Sequence, residues 1–143
     1  MDRSVTTHNW ARGRIQDAGL RVTRSRIATL LVLRSSSEPL THAEVFKRLK
    51  TKQMDKATVF RNLTDMVAIN LLRRLDLGDH TWRYEIVVTD NHRLAPHPHF
   101  ICVDCNRVSC LPEDELNDWS TFTSSRLGNI TDVILRGHCH HCA

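Results

Sequence analysis

Cys102-Val-Asp-Cys105 and Cys139-His-His-Cys142 form two C-x2-C units in a chain of 143 residues. Each unit can present two thiolates from one tight turn, and four thiolates make the tetrahedral sulfur set that zinc prefers. Residues 106–138, 33 in all, separate the units, more than the roughly 15–20 of a common zinc ribbon. An ion bound by Cys102, Cys105, Cys139 and Cys142 would pin the end of this stretch to its beginning. Four protein ligands leave no open position, so the expected role is structural. A lone C-x2-C could instead be a redox pair, but here there are two, without the βαβ context such pairs have.

A second set of possible ligands lies beside the first. In His97-Pro98-His99, residues i and i+2 of an extended strand project to the same side, so both imidazoles can reach one ion. Cys110 is the odd cysteine, and Glu85 lies on a strand before them. For each there is a plain alternative. A strand glutamate is commonly solvated, and a free cysteine packs as a small hydrophobe.

Hydrophobic residues make up 41% of the chain and charged ones 25%, values of a globular protein that exclude disordered and collagen-like classes. The longest near-apolar run, Ile27–Leu33, is far short of the about 20 residues of a membrane span. Met1-Asp2-Arg3-Ser4 opens no apolar signal segment, and the expected location is cytoplasmic. Residues 1–90 hold 16 Lys+Arg against 10 Asp+Glu, a net of +6, whereas residues 91–143 hold 4 against 6, a net of −2. The split points to the first half as the one that would face a polyanion, the plain alternative being ordinary surface variation. All five cysteines lie in the other half, together with His97, His99, His138, His140 and His141.

The elements that must carry these residues follow from periodicity. Asn9–Ala18 is a weak helix candidate closed by Gly19. Thr23 can cap a helix over Arg24–Ser35 with an Ile27, Leu30, Leu31 stripe. Thr41 can cap a short helix burying Val45, Phe46 and Leu49. Asp55 opens another, in which Val59, Leu63, Met66 and Val67 share one face and Lys56, Thr58, Arg61 and Asn62 lie on or near the other. Leu71–Leu75 and Trp82–Val88, joined through Gly78-Asp79-His80, read as a β-hairpin. Helices followed by a hairpin, with a basic polar face on the last helix, are the order of a winged helix-turn-helix. Thr89–Pro98 lacks periodicity and reads as a linker. Beyond it the pattern predicts strands His99–Val103 and Arg107–Leu111, a helix from Pro112, and a last strand Ile130–Leu135.

The assembled pattern resembles the ferric uptake regulator (Fur) family of metal-dependent repressors over nearly the whole chain. Ala18-Gly19-Leu20-Arg21-Val22-Thr23-Arg24-Ser25-Arg26 is similar to the family's opening helix junction. Lys56-Ala57-Thr58-Val59-Phe60-Arg61-Asn62-Leu63 is similar to its recognition-helix signature, with Phe60 in place of a tyrosine. His97-x-His99-Phe100-Ile101-Cys102-x-Asp104-Cys105 and Gly137-His138-Cys139-x-x-Cys142 match its two metal-binding stretches.

The resemblance implies an α+β protein in three parts. They are a winged-helix DNA-binding domain over 1–88, a hinge over 89–98 and a dimerisation and metal-binding domain over 99–143. It implies a homodimer on a double-stranded DNA operator, a structural zinc, no enzymatic activity and a regulatory metal at Glu85, His97 and His99. A family histidine falls on Pro39 here, with His42 three residues later, and a family carboxylate falls on Cys110. The accessory site of some members is missing, since Pro98 replaces a ligand and residues 111–137 hold no histidine.

An ion shared by Glu85 and by ligands beyond the linker would close the hinge. That sets the spacing of two recognition helices against half-sites about one helical turn or a multiple apart. Lys56 and Arg61 are then candidates for phosphate and base contacts, Thr58 and Phe60 for thymine methyls, Arg21 and Arg26 for backbone clamps, and Arg73, Arg74 and Arg83 for the wing. A thiolate from Cys110 favours zinc as the regulatory metal. Without it the set suits iron or manganese, and a peroxide-stress or iron-uptake regulator. A zinc enzyme would need a motif such as H-E-x-x-H, which the chain lacks, and an adaptor module leaves the basic half unexplained.

Overall fold

The computed structural model describes residues 3–49, 53–87, 98–111, 127–128 and 132–143. The helix expected from Pro112, the hinge before Pro98 and His97 lie outside them. The chain divides into two compact units, Met1–Val87 and Val88–Ala143.

The first unit runs α1 (Arg3–Asp17), α2 (Arg24–Arg34), β1 (Leu40–Thr41), α3 (His42–Leu49), α4 (Lys56–Ala68), β2 (Leu72–Asp76) and β3 (Trp82–Ile86). Helix α1 starts at Arg3 rather than at Asn9. Ala11 and Ile15, four residues apart and fully buried, anchor it, and the exposed turns before them extend a helix already nucleated. Thr23 caps α2 by accepting from the Arg26 backbone N–H, and Asp55 caps α4 by accepting from that of Thr58. At α3 the cap is reciprocal. Thr41 Oγ1 accepts from the Glu44 N–H while the Glu44 carboxylate accepts from the Thr41 N–H at 2.7 Å, a capping box.

The predicted stripes face a common core. Ile27, Leu30, Val45, Leu49, Val59, Leu63 and Met66 are buried, and Leu31, Phe46 and Val67 pack at its edge. Burial of each such side chain contributes about 1.5–3 kcal/mol before chain entropy is counted. Asn62 departs from expectation. It is buried, not on the polar face, and its amide donates to Thr29 Oγ1 across to α2 at 3.4 Å. A buried amide with a hydroxyl partner is tolerated where an unpaired one would not be.

Strand order in this unit is β1-β3-β2, all antiparallel. The hairpin pairs Leu72 with Ile86, Arg73 with Glu85 and Asp76 with Trp82. Strand β1 was not expected; its two residues pair Leu40 with Tyr84 and Thr41 with Arg83, tying the start of α3 to the wing.

The second unit holds β4 (His99–Cys102), β5 (Val108–Cys110) and β6 (Ile134–Gly137) in the order β5-β4-β6. Strand β4 is antiparallel to β5 and parallel to β6. The last strand sits later than the predicted Ile130–Leu135. It runs on through Arg136 to Gly137, because its partner is Cys102 at the end of β4. Gly137 has a steric reason to lack a side chain, since a Cβ there would meet the Phe100 ring at 3.1 Å.

Candidate metal centre and nucleic-acid face

Cys102 closes β4, Cys105 follows in the next turn, and Cys139 and Cys142 follow β6. Asn106, with φ 56°, takes the left-handed conformation that ends the first turn. The four sulfurs lie within 4.8 Å of one another. Cys105 Sγ and Cys139 Sγ are 3.8 Å apart, about the edge of a tetrahedron with zinc–sulfur bonds of roughly 2.3 Å. The Cys139 N–H points at Cys102 Sγ at 3.4 Å. The donor set therefore fits zinc as the sequence predicted, with no open coordination position.

The thiols are poised unequally. Backbone N–H groups of Cys105 and then Cys139 pull the Cys102 thiol down to about 6, whereas hydrogen bonds to Cys139 and Cys105 push Cys142 up to about 12. Crowded thiols share protons in this way, and a dication that binds all four must release them. Across the two turns, His138 Nδ1 and Asp104 Oδ2 are 2.6 Å apart, and that bond and the aspartate's charge raise the His138 pKa.

His99 and Cys110 stand directly opposite each other in the β4–β5 register. His99 is 2% exposed and Cys110 half-buried, and their ligand atoms lie within 4.8 Å. Cys110 thus shares a face with His99. In the first unit, Glu85 is not simply solvated. Arg73 Nε donates to its Oε1 at 3.0 Å, and Arg73 Nη2 donates to the same oxygen. His42 is engaged at the start of α4, its Nε2 3.0 Å from the Lys56 carbonyl oxygen and its ring edge-on to Phe60.

The exposed face of α4 carries Lys56, Phe60 and Arg61, with Phe60 52% exposed and Thr58 half-buried beside them. An aromatic ring left in water beside two cations is a surface suited to base edges and phosphates. Arg21 is exposed. Arg26, expected as a backbone clamp, donates through its guanidinium to the Arg21 carbonyl at 2.8 Å and to Asp65 on α4 at 2.7 Å. On the wing, Arg83 is held by Asp79 and Arg73 by Glu85, while Arg74 stacks over exposed Trp82 at 3.9 Å.

A winged helix joined in one chain to a four-cysteine cluster defines a metalloprotein built on a DNA-reading fold. The profile of the Ferric uptake regulator family matches residues 17–133, and the chain belongs to that family of metal-responsive transcription regulators, which are not enzymes. It is 31% identical over 98 residues to ferric uptake regulation protein 1 of Mycolicibacterium fortuitum, covering 68% of this chain and 58% of that protein. Its fold is similar to the ferric uptake regulator of Pseudomonas aeruginosa with manganese, at TM-score 0.67 and 24% identity over 91% of this chain and 98% of the other. It is also similar to a zinc uptake regulator complexed with zinc and DNA, at TM-score 0.62 and 14% identity over 99% and 95%. Among the described residues no helix is long and apolar enough to cross a membrane.

Proposed function

We propose that this chain is a zinc-responsive repressor that binds operator DNA as a homodimer. Zinc would occupy two sites, a structural one at Cys102, Cys105, Cys139 and Cys142, and a regulatory one at Glu85, His97, His99 and Cys110. The observation that carries the choice of metal is Cys110 opposite buried His99. A thiolate beside an imidazole is a soft pair, which favours zinc over iron or manganese. The similar fold solved with zinc and DNA supports the same reading.

In this reading Lys56, Thr58, Phe60 and Arg61 read the operator from α4, and Arg21 holds the backbone. Glu85 belongs to the first unit and His97, His99 and Cys110 to the rest of the chain. Metal and DNA are then coupled reciprocally, by about 1–3 kcal/mol. Fluorescence anisotropy on the promoter of the chain's own gene tests this. Zinc should tighten binding at least tenfold more than iron or manganese does. A response to iron or manganese alone overturns the zinc reading, and no metal response overturns regulation altogether.

A further inference from the structure

Arg73 and Glu85 are direct cross-strand partners on the wing. Both Arg73 N–H groups fall on a single oxygen, Oε1. The guanidinium therefore holds the carboxylate through Oε1 by two donors. The pair is sheltered: the glutamate side chain is 12% exposed and the arginine 30%. Water screens such a pair less than it screens one at the surface. A divalent cation taking Glu85 as ligand would share a carboxylate already holding a fixed positive charge.

We propose that Arg73 sets the affinity of the regulatory site: it weakens divalent-cation binding through Glu85, so the site fills only when metal is plentiful. This rests on Glu85 being a ligand, as in the proposed function. Arginine suits the role because it stays charged at every physiological pH. The guanidinium cancels the glutamate's charge, so the negative charge offered to the cation falls by one. Arg73 is a tuning residue that touches the ligand and not the ion.

The test is a competitive chelator titration of the second cobalt or zinc in full-length protein with its four-cysteine site already filled. Arg73→Met should tighten that metal at least tenfold, and Arg73→Lys, which keeps the charge, should stay within about threefold of the parent. Far-UV circular dichroism checks that both variants fold. If Arg73→Met leaves the affinity unchanged or weakens it while Glu85→Gln loosens the metal, this inference falls and the Glu85 ligand stands. If Glu85→Gln does not loosen the metal, Glu85 is no ligand and both ideas fall together.

Discussion

Replacing Arg26 with methionine distinguishes a structural strut from a DNA clamp. The parent guanidinium donates to the Arg21 carbonyl at 2.8 Å and to Asp65 Oδ2 at 2.7 Å, and so joins α2 to α4. The carbonyl bond contributes about 1 kcal/mol net. Asp65 is 44% exposed and regains water when its partner leaves, so the ion pair counts as a surface one, about 0.2–1 kcal/mol. Among the described residues Arg26 Nε is buried without a hydrogen-bond partner, and removing it offsets part of the loss. The expected destabilisation is about 1–2 kcal/mol. In urea, with a slope of about 2 kcal/mol/M, that lowers the midpoint by roughly 0.5–1 M. Helical circular dichroism reads the unfolding, and anisotropy at several salt concentrations reads DNA binding. A strut leaves the salt slope of folded protein unchanged, whereas loss of a phosphate contact flattens it by about 0.9. An unchanged midpoint with a flattened slope would refute the reasoning and return Arg26 to the DNA.

Cys102→Ser should leave the second unit zinc-poor and monomeric, since a closed thiolate site contributes on the order of 10 kcal/mol to folding; a stable zinc-free dimer of this variant would contradict the structural role. Arg61→Ala should weaken operator binding by about 1–3 kcal/mol at particular base pairs with metal content unchanged, as footprint titrations on operator variants would reveal. Cys110→Ser should keep the structural zinc but remove the sulfur-to-metal charge-transfer band of cobalt bound at the regulatory site; an unaltered spectrum makes Cys110 a packing residue. The Asp55 pKa is lowered, chiefly by the Thr58 N–H. The cap therefore acts above the ordinary carboxylate value of 3.8 and is lost as pH falls through the lowered one. Asp55→Ala should reduce helicity at neutral pH, with the deficit closing on acidification.

What could be foreseen from the sequence was whatever leaves a local signature. Thr23 and Asp55 announce helix starts because a cap is a contact over three residues, and the two C-x2-C units announce a metal because both pairs are local. What depends on distant partners was not legible. Strand β1 is two residues long, and only pairing with Tyr84 and Arg83 makes it a strand. Asn62 looked solvated because its partner, Thr29, lies on another helix. The contact of Arg26 with Asp65 was hidden for the same reason, its acceptor being 39 positions away. The face of Cys110 followed only once the β4–β5 register set it opposite His99.

The parallel pairing of β4 with β6 has a bearing on how the second unit reaches its fold. Its final rung sets Cys102 against Gly137, two residues before Cys139. A slip of one residue would exchange the faces of Leu135 and Arg136 and shift Cys139 and Cys142 together by about 3.3 Å relative to Cys102 and Cys105. Correct alignment is thus the alignment that can hold the ion, and zinc bound there would act as a proofreader of strand register. Such a parallel, non-local pairing forms slowly. Refolding under a chelator should accumulate misaligned, association-prone chains, and zinc added at the start should suppress them far better than zinc added late.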